Sequence, residues 1–245
     1  MTRLLHAELL KLRTTRTFVA LAGCAVASSL LLVILTTSLG TVDEAAFRDL
    51  LASNPGATFI LLMGVLGITG EWRHRTIASS VLAAPDRVRL LAAKTIAYAI
   101  AGVVVSLVVT TSIMLAGTLI VSGRGEATLT LIDLADVLWR SLAVGALLGA
   151  LGVGVGALLR NQIVAVTALL ILGLVLEPTL VGLVPEVGRF GPTVGAPSGI
   201  LDIAVDRGNA PAALLAPGLA AAVSIAWASA TFASAAALLR RRDLV

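Results

Sequence analysis

The chain is poor in the residues that carry most protein chemistry. A single cysteine, Cys24, excludes an internal disulfide. Histidine is confined to His6 and His74, and lysine to Lys11 and Lys94. No HExxH pair, Cys/His cluster or GxSxG turn occurs, which leaves a metalloprotease or a serine hydrolase without its residues. Neither lysine ends a G-x-x-x-x-G-K-[ST] run, so the chain has no phosphate loop with which to hydrolyse ATP. Charge is scarce as well. Asp, Glu, Lys and Arg make up 13% of the residues, against roughly 25% in an ordinary soluble domain. With no soluble domain to carry a basic patch, the net charge of +4 does not point to nucleic acid.

What is present is apolar. Hydrophobic residues are 58% of the chain and the mean hydropathy is +1.01. A soluble fold of 245 residues cannot bury that much apolar surface, so its solvent is lipid. Stretches without Asp, Glu, Lys or Arg cover 17–42, 50–70, 95–123, 141–159, 161–176 and 208–239. A helix needs about 20 apolar residues to cross roughly 30 Å of hydrocarbon. The runs lack the alternation of a barrel, the other structure that satisfies its backbone in lipid. The expectation is an all-α membrane protein forming one transmembrane domain over 1–245. Its six spans are placed at about 17–39, 54–70, 92–121, 138–159, 162–183 and 214–239. The first run exceeds the roughly 7–15 residues of a signal-peptide core and is read as an anchor that stays.

Lys and Arg set the orientation. Thirteen fall at the two termini, the 71–94 connection and Arg160, against five on the other side. The positive-inside rule then puts both termini in the cytoplasm of a cell membrane. Residues 1–16 place Leu5, Leu9 and Leu12 on one helical face, with Arg3, Lys11 and Arg13 largely away from it. That spacing predicts an amphipathic helix lying at the interface before the first crossing.

Among the remaining segments, 40–53 and 122–137 read as ordinary external loops. Residues 177–217 hold six of the eight prolines and stay fairly apolar. Short broken helices and a plain Pro/Gly loop both fit them. Glu177, beside Pro178, is expected to be a solvated helix end, and the spans carry no buried charge pair of the kind ion-coupled transporters use. Gly145–Gly149 and Gly152–Gly156 have the small-xxx-small spacing that lets helices approach closely. Packing within the chain is the commoner use of such pairs, and a dimer contact the other.

The sharpest interruption of the hydrophobicity is the island Glu71–Lys94, EWRHRTIASSVLAAPDRVRLLAAK. Its Glu71-Trp72-Arg73-His74-Arg75-Thr76-Ile77, Leu82-Ala83-Ala84-Pro85, Arg87 and Ala92-Ala93-Lys94 resemble the first cytoplasmic loop of type-two ABC transporter permeases. The opening Ala7-Glu8-Leu9-Leu10-Lys11-Leu12-Arg13-Thr14 is similar to that family's interfacial helix, and Arg75 stands where many members have glycine. The resemblance implies the membrane half of an ATP-driven exporter. Its loop would form a coupling helix docked on a separate ABC ATPase subunit. Glu71, Arg73, Arg75 and Thr76 would lie at that contact, and Asp86, Arg87, Arg89 and Lys94 would guide the chain into the third span. ATP and Mg²⁺ would sit on the partner, with no cofactor on this chain, and the permease would work as a homodimer or with a related permease. The rival reading is a non-transporting membrane assembly or immunity protein, which needs no ATPase.

Overall fold

The computed structural model describes residues 1–73, 86–125, 129–203 and 215–241. The described residues form helices and no strands, and six helical stretches are long and apolar enough to cross a membrane. The elements are α1 (Thr2–Thr14), α2 (Arg16–Leu39), α3 (Glu44–Ala52), α4 (Gly56–Arg73), α5 (Arg87–Gly123) and α6 (Leu131–Leu159). They continue with α7 (Gln162–Ile171), a π-helical turn (Leu172–Leu176), α8 (Glu177–Leu183), α9 (Pro185–Gly188), α10 (Gly195–Leu201) and α11 (Pro217–Arg241).

Short polar side chains start the helices where the apolar runs begin. Asp43 accepts the amide of Ala46 at α3, and Asp86 accepts those of Val88 and Arg89 at α5. Thr130 and Asp133 close a capping box on α6. Asn161 takes the amides of Ile163 and Val164 at α7. Each satisfies N–H groups that a helix leaves without an internal partner. Between α6 and α7 only Arg160 and Asn161 intervene, and Arg160 turns the chain in the left-handed region at φ 52°.

Two expected boundaries move. The third helix begins at Arg87, so Arg87, Arg89 and Lys94 are helical residues, with Asp86 their cap. The 40–53 segment is not a plain loop: Phe47 and Leu51 of α3 are fully buried against the bundle. Ser53, Asn54 and Pro55 then separate α3 from α4, with the Asn54 side chain accepting the Gly56 amide and donating to the Leu51 carbonyl.

The core is built by α4, α5 and α6. Lipid gives apolar helices little reason to associate, so close backbone approach must hold them. Gly145 of α6 lies against Gly102 of α5, and Gly149 against the carbonyl of Tyr98. Gly152 sits beside Gly64 and the carbonyl of Leu61, and Gly156 beside Val65 and Ile68. A Cβ at Gly64 would fall 2.6 Å from the Gly149 carbonyl oxygen. These four glycines of α6 pack inside the chain.

Helix α1 and the last turn of α11 lie at the same end of the bundle, the near end. There Lys11 of α1 reaches Glu71 of α4, and Arg87 at the start of α5 donates to the Leu239 carbonyl of α11. At the opposite, far end, Arg124 donates to the carbonyls of Gly40 and Ser38 and caps α2.

Candidate functional site

The amphipathic stripe of α1 faces the bundle: Leu5 and Leu9 are half-buried and Leu12 is buried. Glu8 lies on that same stripe, between Leu5 and Leu12, and is buried with them. On α5, Lys94 lies in the stripe of Leu90, Leu91, Ala97, Tyr98 and Ala101, and is likewise buried. Packing α1 against α5 joins the two. The Lys94 ammonium donates to Glu8 Oε2 at 2.6 Å and to Glu71 Oε1 at 2.9 Å. Lys11 donates to Glu8 Oε1 at 2.9 Å and to Glu71 Oε1 at 3.2 Å. Two ammonium groups and two carboxylates therefore alternate in one network spanning α1, α4 and α5. Side-chain exposure is 3% for Lys94, 5% for Glu8 and 13% for Glu71, so only Lys11 is well hydrated.

Burial works to raise the Glu8 carboxyl, but the charge of Lys94 and hydrogen bonds from Lys94 and Lys11 outweigh it and hold the group below its ordinary value. Burial likewise works to lower the Lys11 ammonium, and the bond to Glu8 with the charges of Glu71 and Glu8 keeps it above its ordinary value. Glu8 and Lys11 are thereby held charged across neutral pH.

Residues grouped with the connecting loop and with the interfacial helix thus share one cluster. The sequence leads to no expectation of a buried pair outside the spans; the buried pair of this network joins Lys94 of the third span to Glu8 of the helix that precedes the first. The signal was legible in part, since Glu8 breaks an otherwise leucine stripe and Lys94 opens a long apolar helix. The other loop residues diverge. Arg73 is exposed and donates to Gln162 Oε1 of α7 at 3.4 Å. Arg89 pairs with its own cap Asp86 at 3.0 Å in solvent. Arg13 is exposed on the outer side of α1. Arg75 and Thr76 lie outside the described residues, as does His74. Beside the network, the Arg160 guanidinium stacks 4.9 Å from the Trp72 ring and also reaches the Leu238 carbonyl of α11.

A cavity of about 640 Å³ opens next to the network, walled by Lys11, Phe18, Leu21, Met63, Leu66, Arg73 and Tyr98. The Tyr98 ring reaches this wall because Gly67 leaves room: a Cβ there would overlap the phenol. A second cavity, of about 610 Å³, lies in the far half beside the π-helical turn, between Leu31, Leu35, Asn54, Leu174 and Thr193. Among the described residues no three His, Cys, Asp or Glu side chains gather as a metal site.

At the far end the charges form a second group. Arg48 of α3 pairs with Asp136 of α6 at 3.1 Å and with Asp202 at 3.7 Å. Arg140 pairs with the same two carboxylates at 2.8 and 3.6 Å. Glu177, expected in solvent, is instead buried. Its carboxylate accepts the amides of Thr193, Val194 and Gly195 and the Thr193 hydroxyl, at 2.6 to 3.2 Å. This clasp folds the proline-rich segment back onto the fifth span, and Gly191 leaves no side chain where the carboxylate sits. Four donors replace the water that a buried carboxylate loses.

No protein-family model matches the chain, and a search of curated proteins finds no match.

Proposed function

We propose that the chain is the transmembrane permease subunit of an ATP-driven ABC exporter of the type-two class. The near end faces the cytoplasm, where the Lys and Arg excess belongs. A separate ATPase subunit binds ATP and Mg²⁺ and docks on the connection between α4 and α5. The permease acts as a pair, with a second copy or a related chain, in the cell membrane.

The observation that carries the reading is how both roots of that connection are wired. At its start, Glu71 is bonded to Lys11 of α1 and Lys94 of α5, and Arg73 touches Gln162 of α7. At its end, Arg87 holds the Leu239 carbonyl of α11. A push on the connection therefore reaches the interfacial helix, the fifth span and the last span together. This is the mechanical requirement on a subunit that does no chemistry and receives work from a partner. The resemblance of the 71–94 sequence supplies the identity of that partner.

The first test is a mild-detergent pull-down of the tagged full chain from its native membranes. Co-purification of a stoichiometric soluble chain bearing a phosphate loop supports the reading. Its absence, with a similarly fragile control complex preserved, overturns it in favour of the non-transporting protein. Arg75→Glu is the matching substitution: transport lost at unchanged membrane level is expected. Glu71 is the poorer choice, because reversing its charge also disrupts the Lys94 network.

A further inference from the structure

The near-end cavity has the proportions of an amphiphile. Its wall runs along α4 from Arg73 to Met63, ten residues at 1.5 Å each, or about 15 Å. That is half of a roughly 30 Å hydrocarbon core, one leaflet deep. Its chemistry changes along that depth. The mouth carries Lys11, Arg73 and Gln162, and the lower wall is Phe18, Leu21, Met63 and Leu66. Between them sit Glu8, Glu71 and Lys94, whose bonds to one another are already made.

The charges at this wall do not cancel. Lys11, Arg73 and Lys94 stand against Glu8 and Glu71, leaving one positive charge. The excess belongs to Arg73. Among the described residues it forms no ion pair, and its bond to Gln162 is long, so most of its donor fork is uncommitted. Lys11 spends two of its three protons on carboxylates and is half exposed. A planar fork beside an ammonium proton suits the oxygens of a phosphate diester. Basic pockets between membrane helices are a recognised setting for anionic headgroups.

We propose that this cavity binds an anionic phospholipid of the adjoining leaflet, its phosphate on Arg73 and Lys11 and its chain along Phe18, Leu21, Met63 and Leu66. The site stands apart from the permease reading, because it rests on the cavity and its charge alone. Occupied, it fills the space between α2 and α4 under the elbow joining α1 to α2.

The test is native mass spectrometry of the full chain released from mild detergent. Phosphatidylglycerol and phosphatidylcholine of identical chains are added in turn. Phosphatidylglycerol is expected to bind at least about tenfold more tightly, and Arg73→Gln to remove most of that preference. Arg73→Lys should restore part of it. Leu66→Trp, which fills the lower wall, should weaken both lipids and so probes the chain pocket without touching a charge. Arg89→Gln, at the same end but away from the cavity, should change nothing. Equal binding of the two lipids overturns the proposal. So does an Arg89→Gln effect as large as that of Arg73→Gln, which would mean only a diffuse surface charge. Displacement of phosphatidylglycerol by millimolar inorganic phosphate would overturn it in favour of a soluble anion.

Discussion

The bundle is tied at both ends by charged side chains, yet the two ties are built differently. At the near end Lys94 and Glu8 are 3% and 5% exposed, and their network joins α1, α4 and α5 in a dry setting. At the far end Arg48 is 21% exposed and Asp202 57%, and the pairs to Asp202 stretch to 3.6 and 3.7 Å. Water screens the second group and does not reach the centre of the first. Removing one member of a buried pair leaves its partner uncompensated, which is far costlier than losing a hydrated pair. The near-end network is therefore strongly coupled, and the far-end pairs to Asp202 can rearrange at small cost.

The largest effect is expected from Lys94→Ala. It strands Glu8 and Glu71 and should cost about 3–5 kcal/mol, read as a lowered melting temperature in mild detergent and faster proteolysis of α1. A loss no greater than that of an exposed pair would erase the contrast between the ends. Next, Lys94→Met combined with Glu8→Gln removes both charges of the shortest pair. It should recover a good part of the single-variant loss, a non-additivity of about 1–3 kcal/mol. Smaller again, Arg48→Ala should cost about 1 kcal/mol at low salt. That cost should shrink toward 1 M NaCl, where screening acts over about 3 Å. The Lys94–Glu8 coupling should hold under the same titration.

The smallest effect is on pH. The folded Glu8 carboxyl lies below its ordinary 4.5, so its stabilising contribution is complete above that pH and is lost as pH falls through the folded value. Lys11 lies above its ordinary 10.5, so its contribution holds below that pH and fades in stronger base. Hydrogen-exchange protection of the α1 amides, taken relative to their intrinsic rates at each pH, should stay flat between these limits and fall in acid before that of the rest of the bundle.

The spans were legible because apolar runs and their polar caps are local properties: each of the six uncharged stretches overlaps one of the long helices. Helix α3 was not, since nine residues in a polar connection signal little until Phe47 and Leu51 find the core. The candidate site was half legible. Glu71 and Lys94 stood out as charges flanking the loop, and Glu8 belonged to a recognisable amphipathic segment. Their meeting was not readable, because 86 residues separate Lys94 from Glu8 and only the packing of α1 on α5 closes that distance. Glu177 misled for a related reason. A carboxylate before a proline reads as a wet helix end until the four donors at Thr193, Val194 and Gly195 fold over it.

That clasp also sets an order on biogenesis. The donors lie 16 to 18 residues beyond Glu177, and at roughly 5–20 residues per second a ribosome needs about 1–4 s to supply them. For that interval the fifth span carries a carboxylate with no internal partner. A chain ending at residue 190 would lack all four donors, and its fifth span would keep a carboxylate that only water or a proton could compensate.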